Sequence, residues 1–177
     1  TLDFVKSAVP FLKSDVLITD ATGIKGSLPE DVQRLLTGRM EFIAGHPMAG
    51  RQGSGLGMSQ AEIFDGANYI VVPAAFNSSG AIEWLSRFAG AIGCGQVVQV
   101  DAVEHDRIIA YTSNLPHALA VALINSASYN ENTKYFIAGS FRDGTRVADI
   151  NPYLWSDLFL ANRENVLQEV AAFSQQL

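Results

Sequence analysis

The sequence predicts an α/β region over residues 1–100 followed by an all-α region over residues 101–177. Short apolar, β-prone runs alternate with helical patterns as far as Val100, and after Asp101 the strand signal fades while helical spacing continues. The chain has 177 residues, of which 48% are hydrophobic and 17% charged. It can therefore bury a real core, as one domain or as two small ones.

Each element of the first region has its own signal. A helix that carries Leu2, Val5 and Val9 at helical spacing precedes the first strand. Ser27-Leu28-Pro29-Glu30 has the form of a capping box and opens a second helix, and Asn77-Ser78-Ser79 is predicted to cap a third. The predicted strands are 16–19, 42–44, 69–73 and 97–100, and the third helix carries Ile82, Leu85, Phe88 and Ile92. This alternation is typical of a largely parallel sheet.

The second region is predicted to be helical throughout. One long helix is expected from Val103 to about Tyr129, then a turn or two near Tyr135, and a final helix from Asn151 to the end. Pro116 lies inside the long helix, and because proline lacks an N–H it should bend the helix there.

Composition excludes several classes of partner. The net charge of -6 argues against nucleic acid, since phosphate binding needs clustered Lys and Arg. No apolar run approaches the roughly 20 residues of a membrane span. Cys94 is the single cysteine, so no internal disulfide can form, and a reducing compartment, the cytoplasm, is predicted.

Glycine-rich phosphate-binding motifs are missing from the chain. Neither G-x-G-x-x-G nor G-x-x-x-x-G-K occurs in it. Gly53-Ser54-Gly55-Leu56-Gly57 has the wrong spacing and does not join a strand to a helix, so it is interpreted as a loop.

Three segments carry a basic residue that packing in a hydrophobic core would not require. They are Gly45 to Gly50, Ser113 to His117 and Phe141 to Ala148, which carry His46, His117 and Arg146. Together they provide a proton acceptor and two anion-binding groups, as acid-base chemistry on a small polycarboxylate requires. His46 follows a strand and precedes Pro47, which restricts its backbone at the sheet edge where α/β folds hold ligands.

Structural alternatives exist for each of these residues. His46 could be a strand-end histidine bonded to backbone, His117 a surface residue of a bent helix, and Arg146 a surface ion-pair partner. His105-Asp106 could hold one ring tautomer through a carboxylate contact. With only three histidines and no zinc-like spacing, no metal site is predicted.

Taken in order, these segments closely resemble the prephenate dehydrogenase family, whose members are also called cyclohexadienyl or arogenate dehydrogenases. The resemblance covers nearly the whole chain, from Thr19-Asp20 and Lys25-Gly26 to Asn151-Pro152 and Trp155. It implies the C-terminal part of a Rossmann-type, doubly wound NAD(P)-binding domain over residues 1–100. It also implies a helical substrate-binding and dimerisation domain over residues 101–177, which forms a homodimer.

The resemblance further implies oxidative decarboxylation of prephenate to 4-hydroxyphenylpyruvate, with hydride transfer to NAD, NADP not being excluded. His46 would be the catalytic base, which takes the proton of the ring C4 hydroxyl. Eight residues would bind or support the binding of substrate: His117, Arg146, Ser113, Asn114, Gln52, Arg142, Asp143 and Trp155. Four would lie at the cofactor: Thr22, Pro47, Met48 and Asp106.

The chain departs from the family pattern at several positions. Gly23 stands where many members have a serine that assists the catalytic histidine, so Thr22 would have to substitute. Asn114 replaces a frequent second histidine, and Arg51-Gln52 replaces a pair that ends in glutamate, which favours prephenate over arogenate. The family's dinucleotide fingerprint would precede Thr1, so the chain is expected to be a fragment that binds cofactor poorly alone.

Two other classes of function compete with this interpretation. A hydroxyacid dehydrogenase of similar build would need a lysine in the first long helix, and residues 103–129 contain none. A non-catalytic module that binds an aromatic ligand and dimerises is the second alternative.

Overall fold

The computed structural model describes residues 1–50 and 55–177, which form two compact units, Thr1–His105 and Asp106–Leu177. The first unit is α/β and the second is all helical, so the predicted fold class is confirmed. In the described part of the chain, no helix is both long and apolar enough to cross a membrane.

Within the described residues, the first unit contains four strands, three complete α-helices and the start of a fourth. They follow in the order α1 Leu2–Ala8, β1 Leu17–Thr19, α2 Leu28–Gln33, β2 Glu41–Pro47, β3 Asn68–Val72, α3 Ser79–Ala91 and β4 Gln96–Gln99. The side chain of Ser78 accepts a hydrogen bond from the N–H of Ala81, as expected of an N-cap. The capping box predicted at Ser27 does not form, because its hydroxyl donates to the carboxylate of Asp31 instead.

The strands form one sheet in the order β1-β2-β3-β4. β1 and β2 are parallel, as are β3 and β4, but β3 runs antiparallel to β2, with His46 opposite Ile70. The sheet is therefore largely parallel, as predicted, with its central pairing as the exception. Because β1 and β2 run in the same direction, the residues that follow them emerge at the same edge of the sheet.

Both faces of the sheet are covered by helices. Along β2, Phe42 and Ala44 face α1 and α2, while Ile43 faces α3 together with Tyr69 and Val71 of β3. Successive side chains of a strand point to opposite faces, so a strand covered on both faces is apolar throughout. Helices on both faces of the sheet therefore fix the backbone of β2 up to the residue before His46.

The second unit contains the C-terminal part of α4 Ala102–Ile109, together with α5 Leu115–Ile124, α6 Gly139–Thr145, α7 Pro152–Ala161 and α8 Arg163–Ser174. The single helix predicted from Val103 to Tyr129 is wrong in two respects. A π-helical turn, Ala110–Asn114, separates α4 from α5, and α5 ends at Ile124. The π-turn stands directly before Pro116, where the sequence predicted a bend, and such turns are frequent at functional sites.

A buried amide network ties α8 to this turn. The Asn162 side-chain N–H groups donate to the main-chain oxygen of Asp106 at 2.8 Å and to Oδ1 of Asn114 at 3.0 Å. Asn165 in turn donates to Oδ1 of Asn162. Buried amides that are satisfied in this way hold one arrangement of their helices, because breaking any bond leaves a polar group unpaired.

Candidate active site

His46 lies at the carboxyl end of β2 and is half-buried. Its Nδ1 is 2.9 Å from Nε2 of His105, and the two ring centroids are 5.1 Å apart with the planes tilted by 56°. His105 lies in the first turns of α4 with 2% exposure. The predicted base is therefore bonded to a buried imidazole that is also part of the first unit.

A buried ion pair holds the backbone directly before His46. Lys25 Nζ is 2.7 Å from Oδ2 of Asp20, and the two side chains are 0% and 5% exposed. The same ammonium donates to the carbonyl oxygen of Gly45 at 2.6 Å, and Oδ1 of Asp20 accepts from the Gly45 N–H at 3.0 Å. Both main-chain polar groups of Gly45 are thus bonded to the pair, which fixes the point from which the His46 ring departs.

Thr22 lies next to Asp20 at the edge where β1 ends. Its hydroxyl donates to the Asp20 carboxylate, and its backbone N–H donates to the same carboxylate at 3.0 Å. The hydroxyl also lies 3.2 Å from the carbonyl oxygen of Ile24. The hydroxyl and the N–H of Thr22 therefore both orient the Asp20 carboxylate.

The side chain of Tyr69 of β3 lies against Gly45. A β-carbon at Gly45 would lie within 2.9 Å of Cε1 of Tyr69 and closer still to its hydroxyl, so only glycine fits there. Burial raises the pKa of Tyr69, and the negative charge of Asp20 adds to the effect. Burial therefore favours the neutral form of the phenol.

The residues predicted to lie at the cofactor differ in exposure. Met48 is 39% exposed and Pro47 is half-buried, so both present apolar surface directly after His46. Asp106 is buried, and its main-chain oxygen accepts from Asn162. Gln52, predicted to bind substrate, lies outside the described residues, as do Gly53 and Ser54 of the glycine-rich loop.

His117 of α5 has a defined ring orientation. Its Nδ1 is 2.8 Å from the carbonyl oxygen of Ser113, and because a carbonyl can only accept, Nδ1 carries a proton. The neutral ring therefore has Nε2 as its acceptor nitrogen. Trp155 of α7 stacks on the same ring with centroids 3.6 Å apart and planes 26° from parallel. Ser113, His117 and Trp155, all predicted to bind substrate, thus lie together in the second unit.

Arg146 begins a 3₁₀ turn, Arg146–Ala148, that packs against α5, the helix of His117. Its side chain is exposed, as are those of Arg142 and Asp143 on α6. Asn114 behaves differently, because it is 1% exposed and its amide oxygen accepts from Asn162. That contact favours a structural role for Asn114 over contact with substrate.

Sequence reasoning did not single out Lys25, Asp20 or His105 as members of the site. Asp20 and Lys25 carry one weak signal, opposite charges five positions apart after a strand. For His105 the sequence suggested only a contact with Asp106. Nothing in the sequence links His105 to His46, which lies 59 positions earlier. Within residues 1–50 and 55–177, no group of three or more His, Cys, Asp or Glu side chains could hold a metal ion.

The order of strands and helices defines an α/β domain followed by a helical domain, and His46 lies at the sheet edge where α/β domains bind nucleotides. Residues 1–98 match the family model described as the prephenate dehydrogenase nucleotide-binding domain. Residues 101–177 match the prephenate dehydrogenase dimerization domain. The chain belongs to the prephenate dehydrogenase family.

Individual relatives agree with this assignment. The chain is 32% identical over 160 residues to prephenate dehydrogenase of Bacillus subtilis, covering 88% of this chain and 43% of the relative. It is 35% identical over 173 residues to cyclohexadienyl dehydrogenase of Zymomonas mobilis, covering 95% of this chain and 58% of the relative. The chain thus spans about half the length of the curated relatives it matches.

A solved structure is similar over almost the whole chain. Prephenate dehydrogenase from Aquifex aeolicus, in complex with hydroxyphenyl propionate and NAD+, superimposes with a TM-score of 0.86 at 30% identity. The match covers 99% of this chain and 62% of the other.

Proposed function

We propose that the protein catalyses the oxidative decarboxylation of prephenate to 4-hydroxyphenylpyruvate, with His46 as the general base. The observation that carries the proposal is the placement of His46 at the carboxyl end of β2, bonded through Nδ1 to His105. Relatives at 31% and 32% identity are named prephenate dehydrogenases, which supports the choice of substrate.

His46 would act through Nε2, the nitrogen that does not face His105. It would take the proton of the ring hydroxyl as the carbon that bears it is oxidised. When the ring carboxylate then leaves as carbon dioxide, its bonding electrons make the ring aromatic, and the same proton can return to the oxygen as a phenol. The base is therefore regenerated within one turnover, and no net proton is released.

NAD, when bound, would supply the acceptor for the hydride that leaves the ring. The described residues fit its nicotinamide end, because Pro47 and the 39% exposed Met48 present apolar surface immediately after the proposed base. Thr22 lies at the same sheet edge, after β1. Asp106 belongs to the proposed cofactor residues through the family resemblance alone.

His117 and Arg146 are the proposed anchors for the substrate's oxygens. The Nδ1–H bond from His117 to Ser113 and the stacking of Trp155 hold the imidazole in one orientation. Arg146 is suited to a bidentate grip on a carboxylate, with Arg142 and Asp143 nearby in sequence. Arg146→Lys keeps the charge but loses the two-pronged contact, so it should raise KM for prephenate more than it lowers kcat.

The proposal is tested by following nicotinamide reduction with prephenate and with arogenate, using NAD and NADP in turn. The assay uses the protein at the full length its gene encodes. His46→Asn should lower kcat by about 10²- to 10⁴-fold, while the matched exposed variant Lys13→Met should not. Turnover with arogenate alone would assign the other substrate, and no turnover with either would overturn the proposal in favour of a binding module.

Residues 1–100 are proposed to serve the cofactor and residues 101–177 to bind substrate and pair two copies of the chain. Dimerisation is supported by the family description of the second region and by large apolar side chains exposed on its helices, such as Tyr153 and Leu160. Sedimentation equilibrium should give twice the mass of one chain, and Leu160→Glu should lower the measured mass towards that of a single chain. A cytoplasmic location stays a prediction based on the single cysteine.

A further inference from the structure

His105 is a buried histidine whose ring is bonded to the proposed base. Its Nε2 lies 2.9 Å from His46 Nδ1, it is 2% exposed, and its own backbone N–H donates to the carbonyl oxygen of Asp101, the residue before α4. Water competes weakly for a hydrogen bond at such a position, so the contact constrains both rings.

Only one proton can lie between two nitrogens at this distance, so two arrangements exist. In the first, His46 Nδ1–H donates to His105 Nε2, and the neutral His46 ring then has an unprotonated Nε2. In the second, His105 Nε2–H donates to His46 Nδ1, and the neutral His46 ring carries its proton on Nε2. A base that accepts a proton at Nε2 requires the first arrangement.

We propose that His105 is a positioning residue that holds His46 in its Nδ1–H tautomer and thereby keeps Nε2 available to accept a proton. When His46 becomes an imidazolium, the bond from Nδ1–H to His105 becomes charge-assisted and stabilises the cation. The role is that of the carboxylate that orients a catalytic histidine in a hydrolase triad, performed here by a neutral imidazole. His105 must then carry its own proton on Nδ1.

Asp20 and Lys25, the charged side chains that bond to the preceding residue Gly45, are paired with each other. A neutral acceptor orients His46 without adding a buried negative charge that would itself need compensation.

The inference rests on the proposed base role of His46, but its first test does not need activity. The chain has three histidines, so nitrogen-15 labelling of histidine gives three ring spectra that His→Gln variants can assign. Spectra are recorded at about pH 8.5, where imidazoles are ordinarily neutral. In the wild type, both His46 and His105 should show a protonated Nδ1 and an unprotonated Nε2.

Variants of His105 then test the cause. His105→Leu removes the acceptor, so His46 should become a mixture of tautomers with clearly shifted Nδ1 and Nε2 resonances. His105→Gln offers an amide oxygen in the acceptor's place and should keep the Nδ1–H tautomer. His117→Gln, which changes a ring of the second unit, serves as the control. The proposal would be overturned by a proton on Nε2 of His46 in the wild type. It would also be overturned by a His46 spectrum that does not change in His105→Leu. If that variant fails to fold, the wild-type spectrum still decides.

Kinetics give the second readout. His105→Leu should lower kcat about 10²-fold, the lower end of what a general base contributes, with KM for prephenate little changed. His105→Gln should restore most of that loss. If the wild type turns over neither substrate, the proposed function fails while the tautomer measurement still decides the role of His105.

Discussion

The ammonium group of Lys25 donates a hydrogen bond to the carbonyl oxygen of Gly45 at 2.6 Å, although the two residues are 20 positions apart in the chain. The ammonium is also paired with Asp20 at 2.7 Å, and Asp20 accepts from the Gly45 N–H. One ion pair therefore satisfies both main-chain groups of the residue before His46. Buried ion pairs often contribute little net free energy of folding. We therefore expect this pair to matter as much for the position of His46 as for stability.

Removal of the lysine alone should be strongly destabilising. Lys25→Met leaves the Asp20 carboxylate buried without a counter-charge, which should lower the free energy of unfolding by about 3–5 kcal/mol. Urea unfolding of the variant and the wild type measures this difference in the free energy of unfolding. The exposed Lys13→Met is the matched control and should change stability by less than about 0.5 kcal/mol.

The double variant Asp20→Asn, Lys25→Met separates charge from packing. Because the new amide at position 20 needs no counter-charge and its oxygen can still accept from the Gly45 N–H, the double variant should recover part of the stability lost in Lys25→Met. Equal losses for Lys25→Met and Lys13→Met would show that the pair is not buried as described.

Gly45 should tolerate no side chain. In Gly45→Ala the new β-carbon meets the ring of Tyr69, which is only 3% exposed and cannot swing into solvent. Overpacking of this kind costs about 1–3 kcal/mol, and the displaced ring should also disturb His46. The matched control is Gly50→Ala, since a β-carbon there meets no atom of residues 1–50 or 55–177 within 4 Å. Tyr69→Phe removes the closest atom, so Gly45→Ala should cost less in that background, and additive effects would contradict the proposed clash.

Much of the first unit could be predicted from local patterns. The strands, the N-cap at Ser78 and the position of His46 at the end of β2 all follow from periodicity and from residue types that act within a few positions. The direction of β3 could not be predicted, because alternation identifies a strand without saying which way it runs. The antiparallel pairing of β3 with β2 joins residues such as His46 and Ile70, which are 24 positions apart.

Several parts of the site that the sequence did not predict depend on contacts distant in the chain. The π-turn before α5 is held by the amide of Asn114, whose partner Asn162 is 48 positions later. The partner of His46 is 59 positions away, and Lys25 bonds to Gly45 across 20 positions. Such contacts require the tertiary fold, so residue spacing alone could identify the base but not what orients it.

The stacked pair of His117 and Trp155 should be visible in fluorescence. The chain has two tryptophans, and Trp84→Phe leaves Trp155 as the single reporter. With the ring centroids 3.6 Å apart, the imidazole of His117 covers one face of the Trp155 indole. His117→Ala in the same background should expose that face to water and shift the Trp155 emission to longer wavelength, whereas His105→Gln should leave the emission unchanged. An unchanged emission in His117→Ala would contradict the stacked arrangement.

Glu41 should stabilise the first unit in a pH-dependent way. Burial alone would raise the pKa of this carboxyl, but hydrogen bonds from Asn77 and from the backbone and hydroxyl of Ser78 lower it overall from 4.5. Those bonds measure 2.6–3.0 Å and join the start of β2 to the N-terminus of α3. Since the folded state favours the ionised form, the added stability is present above pH 4.5 and is lost as the pH falls below that value.

Glu41→Gln should therefore lower the free energy of unfolding by about 1 kcal/mol at neutral pH, the scale of charged hydrogen bonds at a partly exposed site. The difference from the wild type should shrink steadily below pH 4.5, because the wild-type carboxyl is then neutral as well. Urea unfolding at a series of pH values measures it, with the exposed Glu131→Gln as the matched control. A difference that stays constant with pH would mean that the amide is tolerated poorly for its shape, and that the charge of Glu41 contributes nothing to holding α3 against the sheet.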